Sequence, residues 1–185
     1  MIKKTLLFIT LILISLNSFS QRCVDETDPF TNEKKISFDY NYKTVYFQVI
    51  DKKIEFEIIF SYRGERNTEF KEGTEILFKL ENGNILNLKT IRKSIPKIEL
   101  INYSSNPFGY GMGMSMSKSQ NFSTYSFAFS LSKTQLNQFS ESEIELIRVP
   151  DTDEGKSYDL EAKGETKKKI KAIKKGATCM NSSIL

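Results

Sequence analysis

The stretch Glu75 to Thr90, Glu-Ile-Leu-Phe-Lys-Leu-Glu-Asn-Gly-Asn-Ile-Leu-Asn-Leu-Lys-Thr, constrains the fold most, because parity decides how its two apolar alternations join. Ile76, Phe78 and Leu80 share one face of a first strand, and Leu86 and Leu88 share one face of a second. A two-residue Asn82-Gly83 turn would set Leu80 against Ile85 and Phe78 against Asn87, mixing apolar and polar residues across the sheet. A three-residue loop, Glu81-Asn82-Gly83, with Gly83 in the left-handed region after a type I turn, pairs Phe78 with Leu86 and Ile76 with Leu88. The sequence therefore predicts a hairpin with one buried face and the longer loop.

The same period recurs along the chain. Ile36 to Tyr42 alternates Ile36, Phe38, Tyr40 and Tyr42, and Thr44 to Ile50 alternates Val45, Phe47 and Val49. Lys53 to Tyr62 is stronger: Ile54, Phe56, Ile58, Phe60 and Tyr62 share a side opposite Glu55 and Glu57, with Asp51-Lys52 as the turn before it. Ile98 to Tyr103, Phe122 to Leu131, Ile144 to Val149 and Ser157 to Ala162 complete the strands, the second with Tyr125, Phe127, Phe129 and Leu131 on its buried side. Ser132 and Gln135 form a capping box that opens a short helix over 133–139 with Leu136 and Phe139 inward. A terminal helix over 166–175 ends at Gly176, read as its stop. Gln21 to Glu33 reads as a turn-rich lead-in, and Arg63 to Gly73 as a solvent-facing connection. With links too short for helical crossovers, the chain predicts a mainly β fold, an antiparallel sandwich or strongly curved sheet of about eight or nine strands, with a closed barrel as the alternative.

Residues 1–20 carry Lys3 and Lys4, an apolar run from Leu6 to Ile14, and Ser18-Phe19-Ser20, the pattern of an export signal cleaved after Ser20. The run is short for a spanning helix, so residues 21–185 are expected as a single soluble β-rich domain, periplasmic, envelope-associated or extracellular. Ser20-Gln21-Arg22 before Cys23 does not suit lipidation. Export places Cys23 and Cys179, the only two cysteines, in an oxidising setting, where pairing is expected and two free or intermolecular thiols are the alternative. Loss of Lys3 and Lys4 lowers the formal charge from +4 to +2, a balance that implies no nucleic acid or other polyanion as partner. The complete absence of histidine excludes Ser-His and Cys-His nucleophilic systems and removes the commonest zinc ligand.

Asn106 to Gln120 is the most unusual segment, with Phe108, Tyr110, Met112, Met114 and Met116 between glycines and serines. It is the candidate binding loop. Met112, Met114 and Met116 on one side of an extended chain also make a conceivable soft-metal site for Cu(I), against the ordinary reading of methionines filling a gap. Asp151 and Asp153, with Asp159 and Glu161, resemble part of a calcium loop, but its required glycine and bidentate glutamate are replaced by Lys156 and Ala162. Glu55 and Glu57 share a strand face and could serve acid-base chemistry, although the wet face of a sheet accounts for them. Ser115 and Lys118 form a Ser-x-x-Lys match by chance within the loop, and no nucleophile elbow is present, so no catalytic residue is assigned. Lys167, Lys168, Lys169, Lys171, Lys174 and Lys175 make the terminal helix basic, which describes a solvated face or an anionic surface contact.

The signal ending before Gln21, Cys23, Asp28-Pro29-Phe30-Thr31, Leu77 to Gly83, Leu131 to Phe139, Ile147-Arg148-Val149 and the late Cys179 together resemble a group of uncharacterised small exported proteins of Bacteroidota-type bacteria. The resemblance implies export and a single domain, and carries no activity or cofactor. The expected function is a non-enzymatic, exported binding or envelope-associated module that meets a protein or envelope component through a sheet face or the 106–120 loop. A Met-based copper protein and an enzyme with a carboxylate site are the alternative classes.

Overall fold

The structure, a computed structural model, describes residues 21–50, 53–105, 116–152 and 155–184. The expected signal segment and the Asp51-Lys52 turn lie outside the described residues. Among the described residues, ten strands form two antiparallel sheets. In the first, β1 (Gln21–Thr27), β2 (Lys34–Tyr40), β3 (Val45–Ile50) and β4 (Lys53–Arg63) follow in order, then β8 (Met116–Leu131), with β7 (Lys97–Ser105) at the edge. In the second, β10 (Ser157–Glu161), β9 (Ile144–Pro150), β5 (Glu75–Leu80) and β6 (Ile85–Lys89) lie side by side. The expected sandwich is therefore present, its strands drawn together by alternation that leaves each sheet one apolar face.

The β5–β6 hairpin has the expected register. Phe78 lies opposite Leu86 and Ile76 opposite Leu88. The Leu80 N–H donates to the Asn84 carbonyl at 2.8 Å, and the Gly83 N–H to the Leu80 carbonyl at 2.9 Å, enclosing Glu81 to Gly83 with Gly83 at φ 85°. Ile85, which the rejected register would have buried, is 64% exposed.

Cross-strand pairing sets Cys23, Phe38, Phe47, Phe56 and Phe129 in one row across five strands of the larger sheet. The rings touch in sequence, with Phe47 stacked on Phe56 at 4.6 Å and Phe56 on Phe129 at 5.6 Å. Two different layers cover this row. Over β4 and β8 lie Phe78 from the second sheet and Phe139 from α1 (Lys133–Glu141), both within about 6 Å of Phe56. The capping box of α1 forms as expected, Gln135 N–H donating to the Ser132 hydroxyl while the Gln135 side chain accepts from the Ser132 N–H.

Over β2 and β3 lies α2 (Gly164–Ile184), which is longer than the sequence suggests. Gly176 does not stop it. The helix continues through Gly176 because glycine serves there in another role: a Cβ at this position would lie 2.5 Å from the Phe47 ring and 2.7 Å from the Phe38 ring. Omitting it lets the helix backbone settle on the aromatic row and bury Ile173, Ala177 and Met180 beside it. Cys179, one turn beyond, reaches the end of the row and bonds to Cys23, with the Cα atoms 6.2 Å apart and 156 positions of chain enclosed.

Two expectations need correction. Gln21 to Glu33 is not merely a lead-in, since residues 21–27 pair with β2. Its polar sequence hid the strand because what ties it to the core is the Cys23–Cys179 bond rather than a run of buried apolar side chains. The connection after Arg63 is not wholly solvent-facing either: Phe70 is buried against Tyr62, Tyr125 and Phe127, and bridges Ser94. One aromatic in a charged run shows no period, and burial here is set by the partner rings.

Candidate binding surfaces

The first surface is the outer edge of the larger sheet. β8 pairs with β4 from Leu131 back to Phe122, whereas its pairing with β7 runs from Thr124 to Met116. From Asn121 to Met116, β8 therefore has β7 as its only ladder partner among the described residues, and the two form a ribbon that outruns β4. Ile98, Leu100 and Ile101 on β7 are 47%, 62% and 39% exposed, and Ile95 just before it is 55% exposed. Apolar residues thus stand on both sides of a strand whose outer N–H and C=O groups have no ladder partner among the described residues. Such edges are usually protected by charge. Here Lys97 and Glu99 form an ion pair at 3.0 Å near the start of the strand.

Of the expected binding loop, Phe108, Tyr110, Met112 and Met114 lie outside the described residues, which bears equally on the copper reading. Met116 is not in a loop, since it opens β8 opposite Ser105. The β7–β8 ribbon therefore leads directly into residues 106–115.

The second surface is a notch beside β4, which sequence reasoning missed. The β3–β4 ladder stops because the chain turns at Asn41 to Thr44, where Asn41, Tyr42 and Lys43 take φ values of 50°, 52° and 64°. The Thr44 N–H closes this turn on the Asn41 carbonyl at 3.1 Å. It is then unavailable to Ile59, whose N–H still donates to the Thr44 carbonyl at 3.0 Å. The orphaned Ile59 carbonyl is taken by the Lys169 ammonium at 2.6 Å. Lys169 also lies 5.4 Å from the centre of the Phe60 ring. Desolvation lowers its pKa, partly offset by the charge of Glu165.

Past Ile59, β4 continues to Arg63 with no β3 residue opposite. Backbone groups alternate in direction along a strand, so Ser61 and Arg63 point their N–H and C=O to the same side as Ile59. The result is a cavity of about 650 Å³ bounded by the Asn41-Tyr42 turn, Ser61, Tyr158, Thr166 and Lys169. This volume is in the range of small-ligand sites. Tyr42 stands at its rim, 96% exposed. A bulky residue in the left-handed region costs about 1–2 kcal/mol, and a type I′ turn favours Asn and Gly at the positions of Tyr42 and Lys43. No glycine marks this turn in the sequence, which is why it went unread.

The remaining candidates are committed to other groups. Arg92 lies across the Glu55 and Glu57 carboxylates at 3.7 and 2.9 Å, while Gln48 donates to Glu55 and Ser126 to Glu57. That arrangement binds the pair to a cation on the wet sheet face. Asp151 accepts from Arg66 at 2.7 Å, and Asp159 pairs with Arg148 in a two-pronged contact that raises the arginine pKa and lowers that of the aspartate. Asp153 lies outside the described residues. Among the described residues, no three His, Cys, Asp or Glu side chains converge as a metal site. Nor are the terminal lysines one uniform face: Lys168 pairs with Glu165, Lys174 with Glu143, and Lys169 turns into the notch.

The architecture is that of an antiparallel β-sandwich with one flank closed by a disulfide-tethered helix, and no helix among the described residues is long and apolar enough to cross a membrane. No protein-family model, curated protein or solved structure matches the chain.

Proposed function

We propose that the protein is an exported binding module without chemistry of its own, which docks a protein or envelope component along the β7 edge and the adjoining segment 106–115. The observation that carries this reading is the exposed apolar strand: Ile98, Leu100 and Ile101 lie on a ribbon that outruns the body of the sheet. A partner strand added to β7 would satisfy its backbone groups and cover these side chains together, the logic of strand addition. Export is supported by the apolar leader pattern of residues 1–20 and by the Cys23–Cys179 bridge, which suits an oxidising compartment. The test is retention of partners from the native cell envelope by the disulfide-intact protein, compared with a Leu100→Lys, Ile101→Lys variant. Retention that the two lysines abolish is expected. Equal retention by both proteins, or reproducible failure of the parent to retain any partner, would defeat the proposal.

A further inference from the structure

Two of the places where a long strand of the sheet outruns a shorter neighbour are treated differently by the chain. At the start of β7, the exposed side of β8 is filled by the chain itself: Ile91 donates to the Ala128 carbonyl at 2.9 Å and Thr90 bridges Phe129. At the start of β3, the corresponding side of β4 is left open as the notch. The notch is also asymmetric. It is closed at the Ile59 end by the Asn41 to Thr44 turn and runs along β4 as far as Ser61, with the backbone of Arg63 next in line on the same side. An extended chain entering it in line with β3 must stop where it meets Thr44. Only a chain end fits.

The charge at the closed end identifies which chain end. Lys169 spends one ammonium hydrogen on the Ile59 carbonyl and has two further donors. Of the two acidic residues that line the cavity, Glu99 is paired with Lys97 at 3.0 Å, and Glu165 is paired with Lys168 at 2.6 Å while its charge offsets only part of the desolvation of Lys169. Lys169 itself has no carboxylate within salt-bridge distance among the described residues. Partial burial of a cation costs free energy that a carboxylate in contact with it would offset. The amino end of α2, whose backbone dipole is positive there, lines the same end of the cavity through Glu165 and Thr166. A strand ending at Thr44 and running from the Arg63 side is antiparallel to β4, as β3 is, and places its last residue at Lys169.

We propose that the notch beside β4 captures the carboxyl terminus of an extended peptide, which adds as a short antiparallel strand to Ser61 and Arg63 and sets its terminal carboxylate on Lys169. Tyr42 covers the bound end from the rim, a role that accounts for a bulky aromatic residue held in a left-handed turn. Lys97 and Glu99 at the start of β7 also line this cavity, but the added strand would pair with β4, so the proposal stands whether or not the outer edge of β7 has a partner.

The probe is a fluorescein-labelled pool of pentapeptides with free carboxyl termini, compared by anisotropy with the same pool amidated at that end. The free acids are expected to bind about tenfold or more tightly than the amides, the size of one charged hydrogen-bonding contact. Lys169→Met should erase that difference. In a parallel titration of the wild-type protein followed by backbone amide shifts, the Thr44, Ser61 and Arg63 signals should move. Equal binding of acid and amide pools, absence of binding by both, or shifts confined to β7 would each overturn the proposal.

Discussion

Replacing Gly176 with alanine sets helix propensity against packing, and the structure says which prevails. In a free helix interior, alanine is favoured over glycine by about 1 kcal/mol. At position 176 the added Cβ would lie 2.5 and 2.6 Å from two ring atoms of Phe47 and 2.7 Å from one of Phe38. Neither ring is free to withdraw: Phe47 is fully buried and stacked on Phe56 at 4.6 Å, and Phe38 is 3% exposed. Overpacking of a filled core costs about 1–3 kcal/mol, and contacts this short belong at the upper end of that range. After the propensity gain, a net loss of about 1–2 kcal/mol is expected, a fall of several degrees in Tm, roughly 2–8 °C. Urea unfolding of the oxidised protein, followed by circular dichroism, measures it. Phe47→Leu in the Gly176→Ala background should recover about 1 kcal/mol relative to simple additivity, because the smaller side chain makes room for the methyl group. An unchanged or raised midpoint for Gly176→Ala, or strict additivity of the pair, would refute the close-packing role of this glycine.

Reduction of Cys23–Cys179 should lower stability by about 3–5 kcal/mol, the loop-entropy model placing the upper figure on so long a loop; superimposable urea curves with and without reductant would contradict this. Tyr42→Asn should raise stability by about 1 kcal/mol by relieving the left-handed turn, read as a higher thermal midpoint, and a lower midpoint would show that the turn is not strained. Burial, then the neighbouring Tyr158, raises the Tyr62 pKa above its ordinary value of 10.0. The unfolded state thus releases this proton first, so the associated stability is intact below pH 10.0 and declines above it, by up to about 1.4 kcal/mol per pH unit for one group. Tyr62→Phe should flatten the alkaline decline measured by urea titration, at a cost of about 1 kcal/mol near neutrality for the hydrogen bond to the Pro150 carbonyl; an unaltered alkaline slope would count against the assignment.

Elements governed by local rules were legible from residues alone. The capping box at Ser132, the alternation from Ile54 to Tyr62, and the loop that sets Phe78 against Leu86 each follow from spacing within one short stretch. Contacts between distant segments were less visible. Phe70 lies in a charged run without a period, and β1 has almost no apolar residues, yet both are placed by partners far away in sequence. The Lys169 site illustrates the same limit. In sequence this residue is one of six clustered lysines, and only the early end of β3 leaves a carbonyl for it to reach.

The hairpin at Glu75 to Thr90 and the alternating strands around it were determined by the sequence itself, because the pleat lets parity assign every side chain to a face. Which layer covers each face was decided only by the tertiary structure. Gly176 shows why. Its local meaning is a helix stop, but the aromatic row beneath it makes the missing Cβ a means of approach, and the helix runs on to meet Cys23 through Cys179. The open notch has the same origin, since it exists where two neighbouring strands differ in length, a difference that neither strand records alone.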